Sequence, residues 1–139
     1  GSPAGVSAAC QKIGGEVLES SDSFWQSLRN HTHPFFTSGK RLWRLSVKST
    51  LLPIALEGEQ LIEWGGALRW LATDGQENDQ TLRQQIGDLN GHATLFYGDK
   101  SNIQAFHPLS PSMLKIHQKL KQQFDPLSIF NHGRMYSEF

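Results

Sequence analysis

Cysteine is all but missing from this chain. Cys10 stands alone among 139 residues, so no internal disulfide can form and a reducing compartment is the simple reading. Charge of one sign is missing as well. Thirteen Lys and Arg balance 13 Asp and Glu, which leaves no global field to attract nucleic acid or an anionic membrane surface. Long hydrophobic runs are absent: none approaches the roughly 18 residues of a membrane span, and no signal-peptide pattern is present. The short motifs that announce chemistry are missing too. There is no HExxH, CxxC or GxSxG, and no GxGxxG or GxxxxGK[ST] phosphate loop, so spacing alone supplies no catalytic machinery.

What is present is the composition of one globular domain. Thirty-seven per cent of the residues are apolar and 10% aromatic, with four Trp, enough for a single core. Gly1-Ser2 reads as an expression scar, leaving residues 3–139 as one domain. Val6, Ala9, Cys10 and Ile13 share a helical face that Gly14-Gly15 stops, which makes Cys10 a packed thiol. Residues 16–18 form a short strand candidate. Ser20-Ser21-Asp22 offers caps for a helix with Phe24, Trp25 and Leu28 inward, and His33-Pro34 ends that region.

Leu42 to Lys48 alternates, with Trp43, Leu45 and Val47 on one face and Arg44, Ser46 and Lys48 on the other, as a half-buried strand does. Residues 61–72 read as strand around Gly65-Gly66. A tight hairpin and a bulged strand both fit, and the bulged strand is preferred. A helix follows from Asn78 or Asp79, with Leu82, Ile86 and Leu89 inward, and stops at Asn90-Gly91. His92 to Tyr97 is a strand. Ser110-Pro111 starts a last helix with Leu114, His117, Leu120 and Phe124 inward, which Asp125-Pro126 breaks. The order strand, helix, strand, strand, helix, strand predicts an α+β, ferredoxin-like split-βαβ antiparallel sheet. Its helices cover one face, further helices flank it at the termini, and the other face is free to meet something else.

Candidate chemistry is sparse. Of the six His, His31 and His33 read as a polar helix end or loop, because no Cys or paired carboxylate accompanies them. His92 opens a strand and either reaches a cleft or bonds a helix C-terminus. His117 reads as a satisfied core or interface histidine, and His107, in a loop before Pro108, carries no assignment. Cys10 lacks the electropositive setting of a reactive thiolate. Trp25, Trp43, Trp64 and Trp70 are packed residues by default, though some can line the open sheet face. Arg41, Arg44, Lys48 and Arg69 are available for an anion. No catalytic residue and no metal site is expected.

Several segments taken together resemble the FAD-binding subunits of glycolate oxidases. They are Leu42-Trp43-Arg44-Leu45, Trp64-Gly65-Gly66-Ala67-Leu68-Arg69-Trp70-Leu71, Gly91-His92-Ala93-Thr94-Leu95-Phe96, Phe106-His107-Pro108-Leu109, and a tail with Phe124-Asp125-Pro126, Ile129-Phe130-Asn131 and Gly133-Arg134-Met135-Tyr136. The likeness spans roughly residues 40 to 136. It implies the C-terminal cap of an FAD-linked, vanillyl-alcohol-oxidase-like flavoprotein whose FAD-binding domain lies outside this chain. The parent would oxidise glycolate to glyoxylate, passing a hydride to FAD. Its partners would be its own N-terminal FAD-binding domain, a second flavoprotein subunit and an iron–sulfur subunit, in the cytoplasm or at the inner face of the membrane.

The resemblance also places Asn131, Gly133 and Arg134 near the flavin, with His132 where relatives carry proline. It leaves His92 and Arg69 as candidates on the substrate side. The isolated fragment would bind little FAD and be inactive. The alternative is a standalone ferredoxin-like module for a small molecule or a protein partner. An RNA-binding domain is disfavoured by zero net charge and the absence of an aromatic–basic signature.

Overall fold

Ser2 opens the first helix. Its Oγ accepts from the Gly5 N–H at 3.2 Å, and Pro3 takes the first helical position of α1 (Pro3–Ile13). The computed structural model describes residues 1–16, 18, 20–98 and 104–139, in two compact units, Gly1–His33 and Pro34–Phe139. In the first unit no residue of α1 is buried and Cys10 is exposed, which corrects the expected packed thiol. The strand expected at 16–18 depends on Val17, which lies outside the described residues; Glu16 and Leu18 belong to no element. In α2 (Ser21–Arg29), Phe24 and Trp25 meet edge to face at 5.2 Å, yet Trp25 is 63% exposed and only Leu28 turns partly inward. His31 and His33 follow its C-terminal end, where the Thr32 and His33 N–H groups donate to Ser27 O.

The second unit is built on a four-stranded antiparallel sheet, β1 (Arg41–Ser46), β2 (Glu59–Glu63), β3 (Leu68–Thr73) and β4 (His92–Tyr97), in the order β2-β3-β1-β4. This is the ferredoxin-like order, and helix α3 (Asp79–Asp88) joins β3 to β4 as expected. Asn78 caps it through Oδ1 to the Thr81 N–H at 3.0 Å. The first half differs from the expectation. β1 itself begins the sheet, and residues 47–58 run to β2 without a helix. In place of a helix, Leu51, Ile54 and Leu56 of this connection pack on the core cluster of Trp43, Leu45, Val47, Leu71, Leu82, Ile86, Ala93 and Leu95.

The preferred bulged strand over 61–72 is corrected to a hairpin. Trp64, Gly65 and Gly66 take φ values of 52°, 60° and 96°, and three left-handed residues in succession reverse the chain where a bulge needs only one. At Gly66 a Cβ would lie 2.7 Å from Ser49 O, so the turn also needs the space that only glycine leaves. Trp64 therefore sits at the hairpin tip, 81% exposed, while Trp43 and Trp70 are buried.

Beyond β4 the chain returns as a strap. Leu95 N–H donates to Ala105 O at 2.8 Å and Ala93 N–H to His107 Nδ1 at 3.3 Å, so residues 105–107 cover the outer edge of β4. Among the described residues no backbone pairs with the outer edge of β2. Ser110 caps α4 (Pro111–Phe124) through its Oγ. The inward face expected there is met only in part: Leu114 and His117 are half-buried, whereas Leu120 and Phe124 are 50% and 85% exposed and no residue of α4 is fully buried. Periodicity marks an apolar face, but nothing in α4's own sequence says which surface covers it.

Candidate functional site

The sheet has one packed face and one partly open face. α3 and the 51–56 connection cover the face of Trp43, Leu45 and Leu71. On the opposite face the register sets Arg44 against Thr94 and Ser46 against His92 on β1 and β4. Arg44, Ser46 and His92 are exposed and Thr94 is half-buried. Beside them runs an edge-to-face aromatic chain, Phe36 to Trp70 at 5.5 Å and Trp70 to Phe96 at 5.0 Å. Trp70 is 3% exposed and donates its indole N–H to Glu63 at 2.6 Å. Phe96 stays 46% exposed at the rim of the polar group.

The four cations that composition left available separate here. Arg41 bonds Asp79 at 3.0 Å and Glu77 at 3.4 Å. Glu77 also accepts from the Trp43 indole at 2.7 Å; burial opposes its ionisation, but that bond and Arg41 hold it below the usual carboxylate range. Arg69 is 2% exposed and donates to the carbonyls of Leu51, Leu52 and Gly66, fastening the 47–58 connection. Arg44 and Lys48 are exposed, and neither side chain has a hydrogen-bond or ion-pair partner among the described residues.

His92 and His107 come together although sequence reading gave His107 nothing. Their rings stack at 5.2 Å and 20°. Burial, with His92 and Arg83 nearby, lowers the His107 pKa from its usual value. Its Nδ1 accepts from the Ala93 N–H, so in the neutral ring the proton is on Nε2. Arg83, a residue sequence reading missed, holds the strap in place. Its guanidinium lies 5.2 Å over the Trp43 ring, donates to Ala93 O at 3.2 Å and Ala105 O at 3.3 Å, and bonds Gln104 O and Phe106 O. Tyr136 completes the fastening, its hydroxyl donating to His107 O at 3.1 Å. An arginine in the second turn of α3, beside the inward Leu82, was the only signal available in the sequence.

The tail forms a separate feature. Asp125 is buried, accepts from the Ile129 and Phe130 N–H groups at 3.0 and 2.9 Å, and pairs with Lys121. The Lys121 bond, against a burial penalty and with the two backbone N–H groups, holds its carboxyl down to about 2. Beyond it, Asn131 to Arg134 make one exposed turn, closed by Arg134 N–H to Asn131 O at 3.2 Å. Asn131 and Gly133 are left-handed, at φ 50° and 66°, and the Arg134 guanidinium reaches Asn131 Oδ1 at 3.3 Å. The turn forms with His132 in place of proline. It thus brings Asn131, Gly133 and Arg134 together, whereas His92 and Arg69 lie on opposite faces of the sheet.

A cleft of about 520 Å³ opens at the other end of the sheet, but Glu57, Glu59, Asp74 and Glu77 give it the wrong sign for a carboxylate or a phosphate. Among the described residues no group of three or more His, Cys, Asp or Glu side chains could hold a metal ion. No described helix is long and apolar enough to cross a membrane.

Over 138 residues, 99% of this chain, the sequence is 44% identical to Glycolate oxidase subunit GlcE of Escherichia coli (strain K12). The chain is similar to a glycolate oxidase subunit. It spans 37% of the length of GlcE. The similarity to GlcE reaches past the motif-bearing stretch of residues 40 to 136 and takes in the first unit as well. No protein-family model matches the chain, and no solved structure matches it.

Proposed function

We propose that this chain is the C-terminal, substrate-side cap of a flavin-dependent glycolate oxidase subunit, a portion that is not catalytically competent by itself. The observation that carries this reading is 44% identity across 99% of the chain to a glycolate oxidase subunit of which it spans 37%. Two features support it. The chain has no phosphate-cradling loop of its own. It also holds a large apolar surface out to solvent, Met113, Ile116, Leu120 and Phe124 along α4 with Leu127, Ile129 and Phe130 beyond, as a domain does when it is made to lie against another.

FAD held by the remainder of the subunit would supply the hydride acceptor for a 2-hydroxy acid. The residues of this chain that fit such a group are those of the 131–134 turn. The Asn131 amide and the fixed cation of Arg134 are exposed and share one loop. Placed against a reduced flavin, they would offset negative charge developing on the ring. Assembly with a second flavoprotein subunit and an iron–sulfur subunit, as an electron outlet in the cytoplasm or at its membrane face, belongs to the same reading.

Co-expression tests it. The chain alone should purify without FAD and without glycolate oxidation. The chain produced with the missing length of a GlcE-type subunit should copurify with that partner and with FAD. Stoichiometric FAD or turnover of glycolate by the 139-residue chain alone would sink the reading.

A further inference from the structure

We propose that the open face of the sheet carries a binding site for a small carboxylate, formed by Arg44, Ser46, His92 and Thr94. The four residues come from two paired strands and occupy two directly opposed positions, Arg44 with Thr94 and Ser46 with His92. Side chains opposed in this way stand about 5 Å apart and the two pairs about 7 Å apart along the strands, so the four frame a patch that a small carboxylate with one neighbouring oxygen can span. Their donors are unspent. The Arg44 guanidinium and both hydroxyls have no hydrogen-bond partner among the described residues, while the neighbouring arginines on the sheet, Arg41 and Arg69, are engaged.

Orientation is built in on two sides. His92 is stacked on His107, which the Ala93 N–H, the Arg83-clamped strap and the Tyr136 hydroxyl hold at the sheet edge. Phe96, braced on Trp70, lies on the other side, two residues along β4 from Thr94. Charge selects the ligand class. Arg44 is the one cation in the quartet. Glu63 is two strands away from Ser46 in the same row and is bonded to Trp70. One planar guanidinium matches a monoanionic carboxylate in a two-bond fork. A phosphate dianion would want a second converging cation or a helix N-terminus, and the face offers neither. The hydroxyls and the imidazole N–H then suit a neighbouring hydroxyl or carbonyl oxygen, the pattern of a 2-hydroxy or 2-oxo acid. The carboxylate chemistry stands on the geometry; naming glycolate as the occupant rests on the glycolate oxidase reading.

The test is a titration of the isotope-labelled chain followed by amide shifts, with glycolate, its neutral analogue glycolamide, and inorganic phosphate as separate probes. Glycolate in the millimolar range should move the amides of residues 44, 46, 92 and 94 together, and glycolamide should leave them in place. Arg44→Gln, at an exposed position, should keep the fold by circular dichroism and weaken glycolate binding roughly 10- to 100-fold. Thr94→Val should weaken it less. No response to glycolate, an equal response to glycolamide, a matching response to phosphate, or unchanged affinity in Arg44→Gln would each overturn the site. Failure of the co-expression experiment with this titration positive would leave the carboxylate site standing and remove only the glycolate oxidase reading.

Discussion

At the scale of single residues, buried cations here fasten backbone to backbone. Arg83 serves four carbonyls and packs on Trp43, and Arg69 serves three. Neither pairs with a carboxylate through a hydrogen bond among the described residues. Replacing Arg83 by Met keeps the stem and abandons the carbonyls. A loss of about 2–4 kcal/mol is expected in urea denaturation, and Lys should not rescue it because a point charge cannot reach carbonyls on two segments at once. Asp125 makes the opposite prediction, in pH. Its carboxyl is lowered from 3.8 to about 2 in the folded chain, so the stabilisation is complete above about pH 4 and is lost as the pH falls through about 2. The Ile129 and Phe130 amides, followed by NMR, should shift together across that window, and Asp125→Asn should show the low-pH positions at neutral pH.

Among elements, the hairpin between β2 and β3 is the most demanding piece of backbone. Ala at Gly66 meets both a positive φ of 96° and a Cβ contact of 2.7 Å to Ser49 O, whereas Ala at Gly65 meets only φ 60° with open space around it. Gly66→Ala should therefore cost about 2 kcal/mol or more and Gly65→Ala about 1, compared by urea midpoints at constant slope. The same turn explains a limit of sequence reading. Gly65-Gly66 serves a bulge and a hairpin equally well, and only pairing of Glu59–Glu63 with β3 distinguishes them. The alternation of Trp43, Leu45 and Val47 was legible because one face of β1 is buried. The α3 cap and its inward Leu82 and Ile86 were legible because both are local. The 105–107 strap has no period of its own and exists only through β4 and Arg83. His107 could not be paired with His92 from a sequence in which they are 15 positions apart.

At the scale of the whole chain, what could not be read is where apolar faces end up. Leu120 and Phe124 fall at helical spacing on an amphipathic helix, the pattern of a buried stripe, and they are exposed. Changing both to Ser should alter stability by less than about 0.5 kcal/mol. It should also reduce binding of a hydrophobic dye and self-association at high concentration. Copurification with the remainder of a GlcE-type subunit should fall in the same variant. Unchanged dye binding would mean that the stripe is covered within the chain itself.

Among the described residues the strap runs along β4 and no backbone pairs with the outer side of β2, so the two edges of the sheet are unequal. A strand from elsewhere would find its free edge beside β2. Two copies that joined there would each use that edge. Antiparallel joining centred on Leu61 would set Glu59 of one copy against Glu63 of the other, a like-charge contact at both ends of the seam. The two carboxylates that bond Ser38 and Trp70 inside the domain thereby also defend it against its own copies.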